Sequence, residues 1–209
     1  MNKFTSLFYF LISITSLSQG FEGLIRYKIT HTSLDSTINE IGTMPTKLDF
    51  YISGELARID QSTKIGTQTT IIDTLLKRNI LLINLMDKKF GIILNNNDTS
   101  DVENIIYTEE TEDFLEIECK KAIMNSINKK TNRSTTSTIY YTKKIDNSYN
   151  INFKKLKGFP IYYEIISNNI ISTYLAVEMT KKNIDPKIFE IDNKTSIYKM
   201  EDFKALMTQ

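Results

Sequence analysis

One cysteine, one histidine and no tryptophan leave this 209-residue chain with few of the side chains that most enzymes use. Cys119 has no partner for an intramolecular disulfide, and with His31 alone, triads, Cys-His pairs and His-rich metal clusters are excluded within the chain. No Gly-rich phosphate loop is present, and Asp87-Lys88-Lys89 lacks the alternating acids of a calcium loop. No cofactor is implied. Neither charge dominates, since 26 Lys plus Arg stand against 25 Asp plus Glu, so the surface carries no nucleic-acid footprint. Three prolines and seven glycines are few, and the turns must rely on Asn, Asp and Ser. After the N-terminus no apolar run is long enough to span a bilayer.

The N-terminus itself reads differently. Lys3 precedes the apolar stretch Phe4 to Leu17, and Ser16-Leu17-Ser18 supplies a small-x-small cleavage site before Gln19. This is the layout of a secretory signal peptide over residues 1–18, leaving residues 19–209 as one β-rich domain in an exported, mature protein. No Cys follows the apolar stretch, so a lipid anchor is not indicated. With 41% hydrophobic residues the remainder can bury a core, and its length fits one domain.

Beyond the leader the chain is a succession of short β-type runs. Ile25, Tyr27, Ile29 and His31 alternate with Leu24, Arg26, Lys28 and Thr30, the period of a half-buried strand. Three hairpins can be drawn. A Ser53-Gly54 turn sets Leu48 opposite Ile59, Phe50 opposite Ala57, Lys47 opposite Asp60 and Asp49 opposite Arg58. An Asp87-Lys88 turn sets Leu81, Ile83 and Leu85 opposite Leu94, Ile92 and Phe90, with Leu82 against Ile93, so both faces are apolar and both need cover. An Asn168-Asn169 turn sets Tyr163 opposite Tyr174, Ile166 opposite Ile171 and Tyr162 opposite Leu175. The polar run Asn125 to Ser137 reads as one long hairpin loop, and Asp98 to Glu118 fits either helix or strand.

Helix is scarce. Asp185-Pro186 opens a short turn, and Met200 to Met207 reads as a short C-terminal helix whose Phe203, Leu206 and Met207 share a face. Cys119, inside a strand-like run, reads as a small core residue. His31 reads as a packed or rim residue. Glu109, Glu110, Glu112 and Asp113 form a crowded acidic run, which is the pattern of a solvated turn rather than of a glycosidase pair. The expectation is a non-enzyme. The candidate ligand-lining residues are Phe50, Ile83, Phe90, Ile92, Tyr140, Phe153 and Tyr162, which in a curved sheet either fill the core or line a cavity.

Several segments, in order, resemble a family of exported proteins from Bacteroidota that lies near the LolA/LolB lipoprotein-carrier superfamily. They are Phe21-Glu22-Gly23, Met44-Pro45, Tyr51-Ile52-Ser53-Gly54 with Arg58-Ile59, Ile71-Ile72-Asp73, Cys119-Lys120-Lys121-Ala122, Tyr141-Thr142, Lys157-Gly158-Phe159-Pro160, Ile184 to Glu190, and Tyr198-Lys199-Met200 with Phe203. The resemblance covers nearly all of the mature chain. It implies a mainly β fold: a large curved antiparallel sheet or unclosed β-barrel with helix at the open side. It also implies a periplasmic or envelope location in a Gram-negative bacterium and no catalytic residues. The expected function is binding of an apolar or lipidic ligand, an acyl chain or a lipoprotein, with peripheral contact to the outer membrane. The alternative is a cell-envelope interaction or structural module with a filled core.

Overall fold

The computed structural model describes residues 20–34, 40–64, 66–85, 88–94, 101–128, 133–167 and 169–208. The leader expected at 1–18 lies outside these residues. Twelve strands form one sheet: β1 (Gly23–Ser33), β2 (Lys47–Ser53), β3 (Leu56–Thr63), β4 (Gly66–Asp73), β5 (Arg78–Leu85), β6 (Lys88–Leu94), β7 (Asp101–Phe114), β8 (Ile117–Asn128), β9 (Arg133–Thr142), β10 (Phe159–Ser167), β11 (Ile170–Lys181) and β12 (Ser196–Lys199). The order is β12-β6-β5-β4-β3-β2-β1-β11-β10-β9-β8-β7. Its two ends do not pair, so the curved sheet stays open, as expected. Every pairing is antiparallel except that of β12, which lies parallel to β6. The chain steps outward from β1 to β6, crosses to the far edge at β7 and steps back until β11 meets β1, so the seam between the two halves joins residues about as distant in sequence as the chain allows.

Alternation puts Ile25, Tyr27 and Ile29 on one face of β1, and Phe50, Ile52, Ala57 and Ile59 continue that face across β2 and β3. These residues are buried. Opposite them lies not a helix but the connection between β9 and β10, residues 143–158, which lays Ile145, Phe153 and Leu156 onto the sheet. An irregular segment can be buried here because its polar groups are satisfied locally. Asn150 Oδ1 accepts from the backbone N–H groups of Asn152 (2.8 Å) and Phe153 (3.0 Å), while Asn147 Nδ2 donates to the carbonyls of Phe153 (2.8 Å) and Leu156 (2.9 Å). Tyr149 Oη donates to Gly54 O (2.6 Å) and ties the segment to the β2–β3 turn. Edge-on contacts of Phe50 with Phe159 (5.2 Å) and Phe153 with Tyr163 (5.1 Å) fill the centre. The buried Tyr27 hydroxyl donates to Pro160 O (2.7 Å).

The other face of β3 to β6 is covered by the connection 182–195. Asp185 caps a 3₁₀ turn at Pro186–Phe189, as the Asp-Pro pair predicts, and Phe189 is buried against Ile71, Ile80 and Ile197. The helix α1 (Met200–Met207) forms where the spacing predicts and sets Phe203 edge-on to Phe90 at 5.5 Å. Both apolar faces of the β5–β6 hairpin thereby gain their cover.

Three expectations change. The β2–β3 turn is Gly54-Glu55, with Gly54 at φ +55°, so Phe50 pairs with Ile59, Ile52 with Ala57, Tyr51 with Arg58 and Leu48 with Gln61. In the β5–β6 hairpin Leu81 pairs with Ile92, Leu82 with Gly91 and Ile83 with Phe90. In both hairpins the partner moves by two residues, a shift that keeps each side chain on its face and is therefore invisible to an alternation pattern. The Asn168-Asn169 register stands as drawn, with Asn169 at φ +61°. Most of Asn125 to Ser137 is strand: Ser126 and Thr135 share a hydrogen bond of 2.8 Å and Thr136 donates to Asn125 (2.9 Å), so polar side chains knit the ladder. The stretch Asp98 to Glu118, open between helix and strand, takes the strand form: Asp101–Phe114 is the edge strand β7 and Ile117 begins β8, while residues 98–100 lie outside the described residues.

Candidate functional site

The seven residues singled out from sequence fall into three regions. Phe50 and Phe153 lie in the packed centre, and Phe90 and Ile92 are buried beside α1, with Ile83 opposite Phe90. Tyr140 and Tyr162 instead form a half-buried cluster with Phe114, whose ring stacks on Tyr162 at 5.6 Å. The Tyr162 hydroxyl donates to Glu164 (2.6 Å), and loss of hydration together with that carboxylate pushes the phenol well above its ordinary range.

The residues with potential for chemistry do not converge. His31 Nε2–H donates to Pro45 O (2.6 Å), which leaves Nδ1 to accept from the Ser172 hydroxyl (2.8 Å) in the neutral ring. Both nitrogens are engaged in structure. Cys119 is fully buried, and burial, with Asp113 next in effect, pushes its thiol up to about 11, so it has the character of a core residue. Glu109, Glu110, Glu112 and Asp113 are exposed on or beside an irregularity between Tyr107 and Thr111 of β7, and Glu110 pairs with Lys121 at 2.7 Å. Charge and irregularity on an edge strand discourage further strand pairing. Among the described residues no group of three or more His, Cys, Asp or Glu is placed to hold a metal.

Arg58 departs from its expected place. It faces Tyr51, not Asp49; its Nε donates to Asp60 (2.9 Å) and its Nη1 to Ile188 O (2.7 Å), so it fastens the connection 182–195 to β3. Lys89 and Asp192 (2.7 Å) make a second tie. Beneath this connection lies a small cavity of about 300 Å³, bounded by Leu56, Ile71, Ile80 and Ile197 and by the charged pair Asp73 and Arg78.

A larger concavity of about 1240 Å³ opens on the core side, where the ends of β4 to β6, the segment 147–154 and the start of α1 surround it. That exceeds the ~300–1,000 Å³ of most small-ligand sites, in part because it is an open groove. The β4–β6 wall follows from register: Ile72, Asn79 and Leu94 lie abreast on three strands. The facing wall carries Asn147, Asn150 and Ile151, and α1 contributes Met200 and Lys204. Asn147 Oδ1 is buried without a hydrogen-bond partner among the described residues, because Nδ2 is the atom turned to the backbone carbonyls. Between the lining residues Thr74 and Lys77 the β4–β5 turn exposes Leu75 and Leu76.

None of the seven expected residues lines this groove. The groove residues come from three distant stretches, most of them polar. The one local signal is Leu75-Leu76-Lys77-Arg78, two large apolar residues and two cations in succession, which the sequence reading did not single out.

Fold and site together define a class: a mainly β protein whose open, curved sheet carries a plug on one face and a strap on the other. No family model matches this chain, and the search of curated proteins returns no match.

Proposed function

We propose that this is an exported, non-catalytic protein of the Gram-negative cell envelope that binds an apolar or lipidic ligand, or a lipidated partner, on the core side of its curved sheet. The single observation that carries the reading is the 1240 Å³ groove with Ile72, Leu94, Ile151 and Met200 along it. Apolar side chains beside an open groove gain free energy from losing water to a ligand, at about 25 cal/mol per Å². The signal-like N-terminus and the family resemblance support export and a periplasmic or outer-membrane-facing location. A second reading, an envelope interaction module with a filled core, is favoured by the dry packing of Phe50, Phe159, Phe153 and Tyr163 at the sheet centre.

Native mass spectrometry of the protein purified from its own envelope, followed by titration with an apolar fluorescent probe, separates the two. A retained lipid-sized mass and saturable probe uptake are expected. A bare chain that takes up no probe would hand the case to the interaction module.

A further inference from the structure

We infer that the groove selects a single-chain amphiphile with an anionic headgroup. The inference rests on the ligand-binding reading above and adds the charge and shape of the ligand. Of sixteen lining residues five are large and apolar; Ile72, Leu94, Ile151 and Met200 make a strip on the core side, while Ile93 pairs with Ile80 on the other face of the sheet, and a strip rather than a chamber suits one chain better than two. The charged lining is lopsided. Asp73 and Arg78 are paired across β4 and β5 on the face that also lines the smaller cavity; of the rest, Lys77, Lys154 and Lys204 bring three cations against the one carboxylate of Glu201.

This excess is local, because the whole chain carries a formal charge of only +1. It is also assembled by the fold, since Lys77 ends the β4–β5 turn, Lys154 sits on the plug and Lys204 on α1. Three separate elements thus contribute cationic residues to the rim of one concavity, a setting in which charge attracts an anion more strongly than on a flat surface. Leu75 and Leu76, exposed at the same rim, add apolar surface beside the cations. An apolar strip ending among cations matches a fatty acid or a lysophospholipid bearing a net negative charge: chain on the strip, carboxylate or phosphate at the rim.

The test is competitive displacement of a fluorescent fatty acid from the full mature chain, delipidated, at pH 8 and low salt. The probes are myristate, tetradecanol, tetradecyltrimethylammonium and a single-chain lysophosphatidylglycerol. The two anionic probes should compete at least tenfold better than the neutral and cationic ones, and their ranking against each other separates a carboxylate from a phosphate headgroup. Raised salt should narrow the gap. The K154E/K204E variant alters two exposed side chains, so the fold should survive, checked by circular dichroism. It should erase the preference while leaving tetradecanol binding intact. Equal competition by myristate and tetradecanol would overturn the headgroup assignment but leave the apolar-ligand reading standing. Failure of the fluorescent fatty acid and all four probes to bind would overturn both.

Discussion

Asp49 is held from two directions, by Arg26 Nε on the neighbouring strand at 2.8 Å and by Lys47 Nζ at 2.8 Å, and Arg26 also reaches Glu178 on its other side. Three strands, β2, β1 and β11, are therefore joined by charge across the seam of the sheet. From sequence the partner of Asp49 was Arg58, an exposed pair whose loss would cost a few tenths to about 1 kcal/mol. The Asp49 side chain is only 13% exposed and has two charged partners, so Asp49→Ala is expected to cost about 1–3 kcal/mol in urea unfolding. A change below about 0.5 kcal/mol would return the residue to the solvated surface. The error was one of partner, not of type. Opposite charges at matching positions identify an ion pair, yet alternation leaves a two-residue slip undecided, and in this sheet the competing strand, β1, lay far away in sequence. Gly158 makes the complementary case: a β-carbon there would stand 2.5 Å from Thr142 O and 2.6 Å from Tyr141 Cδ2, an approach no sequence pattern announces.

The β7–β8 hairpin turns through Leu115 at φ +52° and Glu116 at φ +60°, two left-handed residues of types that resist that conformation. Of the other tight turns, the β4–β5 turn puts Lys77 at φ +50°, while two others place Gly54 and Asn169 where a positive φ is needed, and only these two were legible. The β7–β8 turn was not, because nothing in Phe114-Leu115-Glu116-Ile117 reads as a turn. Both residues are exposed, so replacing them with the residues the turn prefers, Leu115→Asn with Glu116→Gly, should stabilise the domain by about 1–2 kcal/mol and raise its melting temperature by a few degrees. A fall in melting temperature would mean that Leu115 contributes packing worth more than the strain. The elements read correctly, the Asp185-Pro186 turn, the helix at 200–207 and the Asn-Asn hairpin, all have their determinants within a few residues. Strand in the polar stretch 125–137 was missed because its stabilisation comes from hydrogen bonds between strands.

Burial across the whole molecule makes stability depend on pH in one direction. The phenols of Tyr27 and Tyr163 lie in the core and are pushed well above the ordinary tyrosine range by loss of hydration, and the Cys119 thiol is pushed up to about 11 by the same cause. Each group keeps its proton in the folded protein at a pH where the unfolded chain releases it. The unfolded state therefore binds fewer protons above about pH 9, so stability falls as pH rises, by up to ~1.4 kcal/mol per pH unit for each group in its window. Thermal melts between pH 7 and 11 should show a plateau to about pH 9 and a steepening decline above it, with part of the tyrosinate absorbance rising only as the fold is lost. A flat profile to pH 11 would contradict the burial of these phenols.

At this scale the division between sequence and fold has a physical basis. Alternation, turn residues, capping and the scarcity of glycine, proline and histidine determined a mainly β chain with a short C-terminal helix and no triad or histidine-rich metal cluster, because those features depend on composition and on neighbours in the chain; the open sheet was implied by the family resemblance alone. Which strands meet, that β11 closes on β1, that a loop instead of a helix covers the core, and that Arg58 fastens a strap were decided by packing between distant segments. The groove belongs to that second group. Its cations come from a turn, a plug and a helix more than 120 residues apart at their extremes, Lys77 to Lys204, and only the folded sheet brings their charges around one strip of apolar surface.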